Sequence, residues 1–362
     1  MIKKLEISRF RCFDELVVEN MAPITIVGGR NNSGKSALLD SIVLSNVILS
    51  PLYFTILSSI RGGDGRIVSS HQIWNPLFYR MGNNDNLCIS YEYDDSKTRI
   101  SLAKIFVEQS QDLQMALEGG NRKFNENEIK KQFALRMQYE SLEQNITGRY
   151  IIQKDINNNN LVAFQPDKEI SYPITSFENK LFYKFPAYIG QMPEWISQIG
   201  LETEKKNLLL KAVQKFDQDI IDVVTVIENG MSSVYVKFKS KDVMPINYMG
   251  DGINKAVSIL LCILNSPDGI LLIDEVENGL YFKLYEEIMP IVIETALEVN
   301  CQIIMTTHNK EIISTTAKIM EQMDKLDEIS YIRMDMSKGK RQAFDFLGKD
   351  LISAINSNME MR

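Results

Sequence analysis

Gly29-Arg30-Asn31-Asn32-Ser33-Gly34-Lys35-Ser36 fits G-x-x-x-x-G-K-[ST], and its reading decides the fold. Glycines at both ends permit a tight loop whose backbone N–H groups point inward at phosphate oxygens, and a following helix adds its positive end. Lys35 would reach the β- and γ-phosphates, and the Ser36 hydroxyl would ligate Mg2+. The flanking sequence suits such a loop. Pro23 to Val27 is a short apolar run entering Gly28-Gly29, the pattern of a buried strand running into a tight turn. Beyond Gly34, the residues Ala37, Leu38, Ile42, Val43 and Val47 recur at helical spacing. The nucleotide-contact candidates are therefore Gly29, Asn31, Asn32, Ser33, Gly34, Lys35, Ser36 and Ala37.

A second motif lies far downstream. Gly269-Ile270-Leu271-Leu272-Ile273-Asp274-Glu275 is an apolar strand ending in two acids, and ligands of open α/β sheets sit at such carboxyl ends. Asp274 would hold Mg2+, while Glu275 would polarise the attacking water as general base. The next apolar strand ends in Met305-Thr306-Thr307-His308-Asn309. His308 at that edge could donate a hydrogen bond to the γ-phosphate or the attacking water. His71 has no comparable context and reads as structural.

Outward from these motifs, Ile2 to Phe10 alternates as a strand, with Glu15 to Val18 as its hairpin partner. Strands are expected at Leu87 to Tyr93, Arg99 to Val107, Tyr150 to Gln153 and Leu161 to Phe164, and a helix at Asn127 to Leu142. The spacing predicts a helix over Glu202 to Ile220, then a hairpin of Val223 to Ile227 with Ser233 to Phe238 turning at Asn229-Gly230. A helix from Ile253 to Leu264, the strand at 269–273, a helix from Leu280 to Glu298 and the strand Gln302 to Met305 alternate as β/α units do, implying a largely parallel sheet. The tail offers a helix, a strand near Ile329 to Met334, a returning strand and a last helix.

Composition bounds the function classes. Of the four cysteines Cys12, Cys88, Cys262 and Cys301, no two share C-x-x-C spacing, which argues against zinc and redox sites; the last three, in apolar contexts, read as buried thiols. With only two histidines, a multi-histidine metal site is excluded. The formal net charge of −7 gives no support for a general nucleic-acid coat, and the basic cluster Lys338 to Arg341 reads as a solvated hairpin turn. Apolar runs such as Ile42 to Leu49 are too short to cross a bilayer, and the N-terminus is not a secretory signal, so a cytoplasmic location without membrane contact is expected.

With three motifs in place, the chain resembles the ABC-like ATPases of the SMC and OLD (overcoming lysogeny defect) group, often described as AAA-family ATP-binding proteins. Ile7-Ser8-Arg9-Phe10-Arg11-Cys12-Phe13 resembles that group's N-terminal element, in which the arginine matching Arg11 lies near the nucleotide. Asp274-Glu275-Val276-Glu277-Asn278-Gly279-Leu280 resembles its Walker B and D-loop, with Tyr281 in place of the usual aspartate, and Thr306-Thr307-His308 resembles its switch histidine. Tyr248-Met249-Gly250-Asp251-Gly252-Ile253-Asn254-Lys255 resembles its degenerate signature, which implies nucleotide contacts by Gly250, Asp251 and Gly252 across a dimer. Gln72 is the candidate for the Q-loop glutamine.

The resemblance implies an α/β P-loop NTPase of ABC type, with a mostly parallel core sheet, an antiparallel N-terminal β-subdomain and an inserted α+β or helical subdomain. The whole of 1–362 is expected to be one domain: an N-terminal lobe over 1–94, an insertion over 95–200 and a C-terminal lobe over 201–362. It further implies ATP and Mg2+ as ligands, hydrolysis by Lys35, Glu275 and His308, and a homodimer or higher homo-oligomer through the ATP sites. OLD nucleases carry a Toprim domain for which the residues after 315 have no room, so a nuclease would be a separate polypeptide. Two biological readings remain at this point. One is an engine gating a separate effector protein, as in the ATPase subunits of PARIS, Septu or retron defence systems. The other is a repair or chromosome-associated ATPase that clamps DNA.

Overall fold

The computed structural model describes residues 1–44, 74–81, 86–94, 96–106, 133–141, 146–154, 161–164, 181–183, 192–228, 230–278, 282–337, 339–357 and 360. The expected positions Val47, His71, Gln72, Asn229, Gly279, Leu280, Tyr281 and Lys338 lie outside them.

The phosphate-loop strand β3 (Ile24–Gly29) sits in the middle of a six-stranded sheet. Parallel to it on one side run β14 (Gln302–Thr306), β13 (Ile270–Ile273) and β9 (Leu181–Tyr183); on the other runs β15 (Ile329–Ser337), with β16 (Lys340–Leu347) closing the edge antiparallel. These strands read as unbroken apolar runs because both faces of the sheet are covered. Alternation along each strand then feeds two cores. Ile270 and Leu272 of β13, Ile304 of β14 and Val27 of β3 point into one, and Leu271, Ile273, Ile303 and Ile26 into the other.

The first core lies beneath an antiparallel sheet of order β2-β1-β4-β5-β6-β7-β8, with helix α1 (Lys35–Leu44) between the sheets. Its strands are β1 (Ile2–Phe10), β2 (Phe13–Val18), β4 (Asn86–Tyr93), β5 (Ser96–Phe106), β6 (Phe133–Ser141), β7 (Ile146–Lys154) and β8 (Leu161–Phe164). The second core is built by helices α2 (Met192–Ile199), α3 (Thr203–Gln214), α4 (Asp251–Leu264), α5 (Phe282–Glu298), α6 (Lys310–Gln322) and α7 (Gly348–Asn356). A three-stranded antiparallel sheet of β10 (Ile220–Glu228), β11 (Met231–Phe238) and β12 (Val243–Pro245) completes that side. The expected α/β architecture, with a mostly parallel core sheet and an antiparallel N-terminal one, is what the chain adopts.

Some local expectations are corrected. The helix expected over 127–142 is, in its described part, the strand β6, paired antiparallel with β5 and β7. Leu135 and Met137 are buried while Arg136 and Gln138 are exposed, a period of two. The helix expected to reach Ile220 stops at Gln214, because the Asp217 carboxylate accepts from the Asp219 N–H at 2.9 Å and turns the chain into β10. Cys88 is half-buried, on the opposite face of β4 from Leu87 and Ile89, and accepts from Arg99 Nε at 3.0 Å; Cys262 and Cys301 are buried as expected.

Candidate functional site

The phosphate loop is held in a shape that its glycines make possible. Gly29 has φ +133°, and a Cβ there would lie 2.2 Å from Met334 O; Gly34 has φ +110°, and a Cβ would lie 2.7 Å from the Phe13 ring. Asn32 between them is also left-handed, at φ +65°. Lys35 is buried, with Nζ donating to Gly29 O at 2.8 Å and Arg30 O at 3.0 Å, so the ammonium lies across its own loop. Burial pushes its pKa below the ordinary lysine value, against the pull of Glu277, Glu275 and Asp274. Ser33 Oγ is buried and has no hydrogen-bond partner among the described residues. The loop thus gathers donors, the Lys35 ammonium among them resting on the loop's own Gly29 and Arg30 carbonyls, around the space an anion would take.

The acidic strand end meets this loop. Ser36 Oγ, in the first turn of α1, lies 3.0 Å from Asp274 Oδ1 at the end of β13. Thr306 Oγ1, at the end of β14, donates to the same Asp274 oxygen at 2.6 Å and accepts from the Glu275 N–H at 2.7 Å. That contact bends the chain sharply: Glu275 has φ +52°, costly for a side chain with a Cβ, and its carboxylate stands exposed where Asn278 Nδ2 donates to it at 2.5 Å. The Ser36 and Asp274 oxygens, both hard ligands and already in contact, fit Mg2+, which takes one or two protein oxygens and keeps its other positions for water and phosphate. Consistent with so sparse a site, no group of three or more His, Cys, Asp or Glu poised for a metal is found among the described residues.

His308 stands half-exposed just past β14, beside Glu277 rather than Glu275, with Nδ1 at 2.9 Å from Glu277 Oε1. The chain therefore brings together Lys35, Ser36, Asp274, Glu275 and His308, from three neighbouring parallel strand ends. Ala37 follows as the third residue of α1. Arg11 forms an ion pair with Asp40, a fully buried carboxylate of α1, so its guanidinium is engaged with the helix behind the loop. The Gly250 to Gly252 turn opens α4: Gly250 has φ +93° with open space around it, Asp251 starts the helix, and the neighbouring Tyr248 is 79% exposed.

Several participants escape sequence reading. Thr306 and Glu277 are generic residue types whose partners lie some thirty positions away, though Thr306 does sit within the switch motif. Lys255, buried in α4, donates to Val276 O at 2.9 Å and to Asn278 O. The hairpin turn is exposed at Gly339 and Lys340, while Arg341 donates to Cys12 O at 2.9 Å and to the phosphate-loop carbonyl Asn32 O at 3.3 Å.

Comparison with known proteins places this geometry in context. The family model described as "AAA domain, putative AbiEii toxin, Type IV TA system" matches residues 24–314. An "ATP/GTP phosphatase" of Helicobacter pylori is 22% identical over 349 residues, covering 90% of each chain. Among solved structures, an Smc head bound to the C-winged helix domain of ScpA is 14% identical, with TM-score 0.49 over 97% of this chain and 99% of that one. The Pyrococcus furiosus Smc head with an extended coiled coil, bound to the C-terminal domain of ScpA, is 12% identical, with TM-score 0.48 over 99% of both chains. At such scores these likenesses add nothing to the family match.

Proposed function

The chain belongs to the AAA-domain family of that AbiEii toxin description, and on this premise we propose that it binds ATP with Mg2+, closes it in a dimer and hydrolyses it. The observation that carries the reading is the 3.0 Å contact between Ser36 and Asp274, which joins the phosphate loop to the acidic strand end beside Glu275. Lys35 exchanges its bonds to Gly29 O and Arg30 O for phosphate oxygens, while the loop N–H groups hold the remaining charge. Ser36 and Asp274 would hold Mg2+, which would supply charge neutralisation to the phosphates. Glu275 takes the proton of the attacking water, its carboxylate oriented by Asn278, and His308 contacts the water or the γ-phosphate. Gly250, Asp251 and Gly252 reach the nucleotide of a second copy through the N-terminus of α4.

The proposal extends to biology as a cytoplasmic engine that gates a separate effector protein in defence against phage, a reading supported by the family's description as a putative toxin of a Type IV TA system. The DNA-clamp alternative has no such support. The formal net charge is −7, and in the densest basic cluster Arg341 is engaged with backbone carbonyls.

Turnover and nucleotide binding, measured separately, test the catalytic claim. Glu275→Gln should lower ATP hydrolysis by roughly a hundredfold or more while leaving ATP binding intact. Lys35→Ala should weaken binding itself. Glu275→Gln protein that hydrolyses ATP at the wild-type rate would show that Glu275 is not the base.

A further inference from the structure

We propose that Glu277 is a positioning residue: it decides which nitrogen of His308 faces the reaction, and Lys255 holds the loop that presents it. The role in catalysis rests on the ATPase reading above; the claim about His308 rests on geometry alone.

Glu277 Oε1 accepts two hydrogen bonds, from the His308 backbone N–H and the Thr307 hydroxyl, and the His308 ring lies against the same oxygen through Nδ1, each at 2.9 Å. A carboxylate accepts only, so at this distance an Nδ1 lone pair would be repelled and a hydrogen on Nδ1 is favoured. Neutral imidazole carries one N–H, which leaves Nε2 with its lone pair and sends that lone pair away from Glu277. Neutral His308 therefore presents an acceptor to a water, and it can donate to a phosphate oxygen only as imidazolium. Without Glu277 nothing in this contact set selects that form.

The carboxylate is only 13% exposed, and its other oxygen is buried without a partner among the described residues, so the contact with the histidine turn determines where it points. Its backbone is fixed independently. Lys255 Nζ grips Val276 O and Asn278 O, the carbonyls on either side of Glu277. The helix that begins at the Gly250 turn thus holds the segment that aims the histidine.

The chain has only two histidines, which makes the tautomer directly observable. Long-range proton–nitrogen correlation spectra of the 15N-labelled full chain, with His71→Gln for assignment, should show neutral His308 protonated on Nδ1. In Glu277→Ala the hydrogen should move to Nε2, and in Glu277→Gln, whose amide oxygen can still accept, it should stay on Nδ1. A wild-type spectrum with the hydrogen on Nε2, or an unchanged tautomer in Glu277→Ala, would overturn the proposal. The wild-type spectrum decides this even if Glu277→Ala does not fold, and it needs no turnover.

Hydrolysis gives the second readout. Glu277→Ala and His308→Ala should each lower turnover on the order of a hundredfold. If Glu277 acts through His308, the double variant should fall no more than about threefold below His308→Ala. Independent, multiplying losses would refute action through the histidine.

Discussion

At the scale of single residues, the fully buried Thr306 hydroxyl accepts from the Glu275 N–H while donating to Asp274. Replacing it by the isosteric valine leaves a buried N–H without its acceptor and a carboxylate without one donor. Thr306→Val should therefore cost about 1–3 kcal/mol of stability by urea unfolding. It should also weaken Mg2+-dependent nucleotide binding. A variant as stable as wild type would mean that Glu275 adopts its left-handed backbone without help. The phosphate loop and the acid pair were legible in the sequence because each is a contiguous motif whose spacing is its chemistry. Thr306 and Glu277 were not read as parts of the site, since their meaning lies in partners that only the packed sheet brings near. Arg11 was singled out by resemblance alone, and the ion pair it forms with the buried Asp40 of the loop's helix leaves no local trace in the sequence.

Between elements, α4 and the loop after β13 are joined through one buried ammonium. Burial lowers the Lys255 pKa to about 8, against 10.5 for an ordinary lysine, with Glu277 pulling the other way. Between those values the unfolded chain holds a proton that the folded chain has released, so this residue makes stability rise with pH across that window. The difference in urea midpoint between wild type and Lys255→Met should grow in favour of wild type from pH 8 to pH 10. A difference flat with pH would place the ammonium in water. Element types were readable where the apolar pattern was strong, as in the periodicity of β1 and α4 and the unbroken apolar run of β13. They failed at β6, whose polar face resembles a solvated helix until its neighbours β5 and β7 supply the pairing. The β15–β16 hairpin was found, but its grip on the phosphate loop through Arg341 joins positions at opposite ends of the chain and leaves no local trace.

For the molecule as a whole, the parallel sheet is a wall between two cores, and every catalytic candidate stands along one rim of it. In the proposed dimer the Gly250 turn that opens α4 serves the nucleotide of the second copy, so one chain supplies two unlike halves of a nucleotide site. With ATP and Mg2+, Glu275→Gln protein should move to twice the monomer mass in mass photometry, and Gly250→Asp should return it to the monomer. A Glu275→Gln chain that stays monomeric at saturating ATP would remove the dimer from the mechanism. The position of β3 has one more consequence. Both of its neighbours, β14 and β15, come from the last third of the sequence. During synthesis the strand leading into the phosphate loop leaves the ribosome early, with both edges unpaired, and must wait for most of the chain to follow. The nascent protein has no nucleotide cradle in that interval, so ATP binding marks the moment at which translation has delivered the whole sheet.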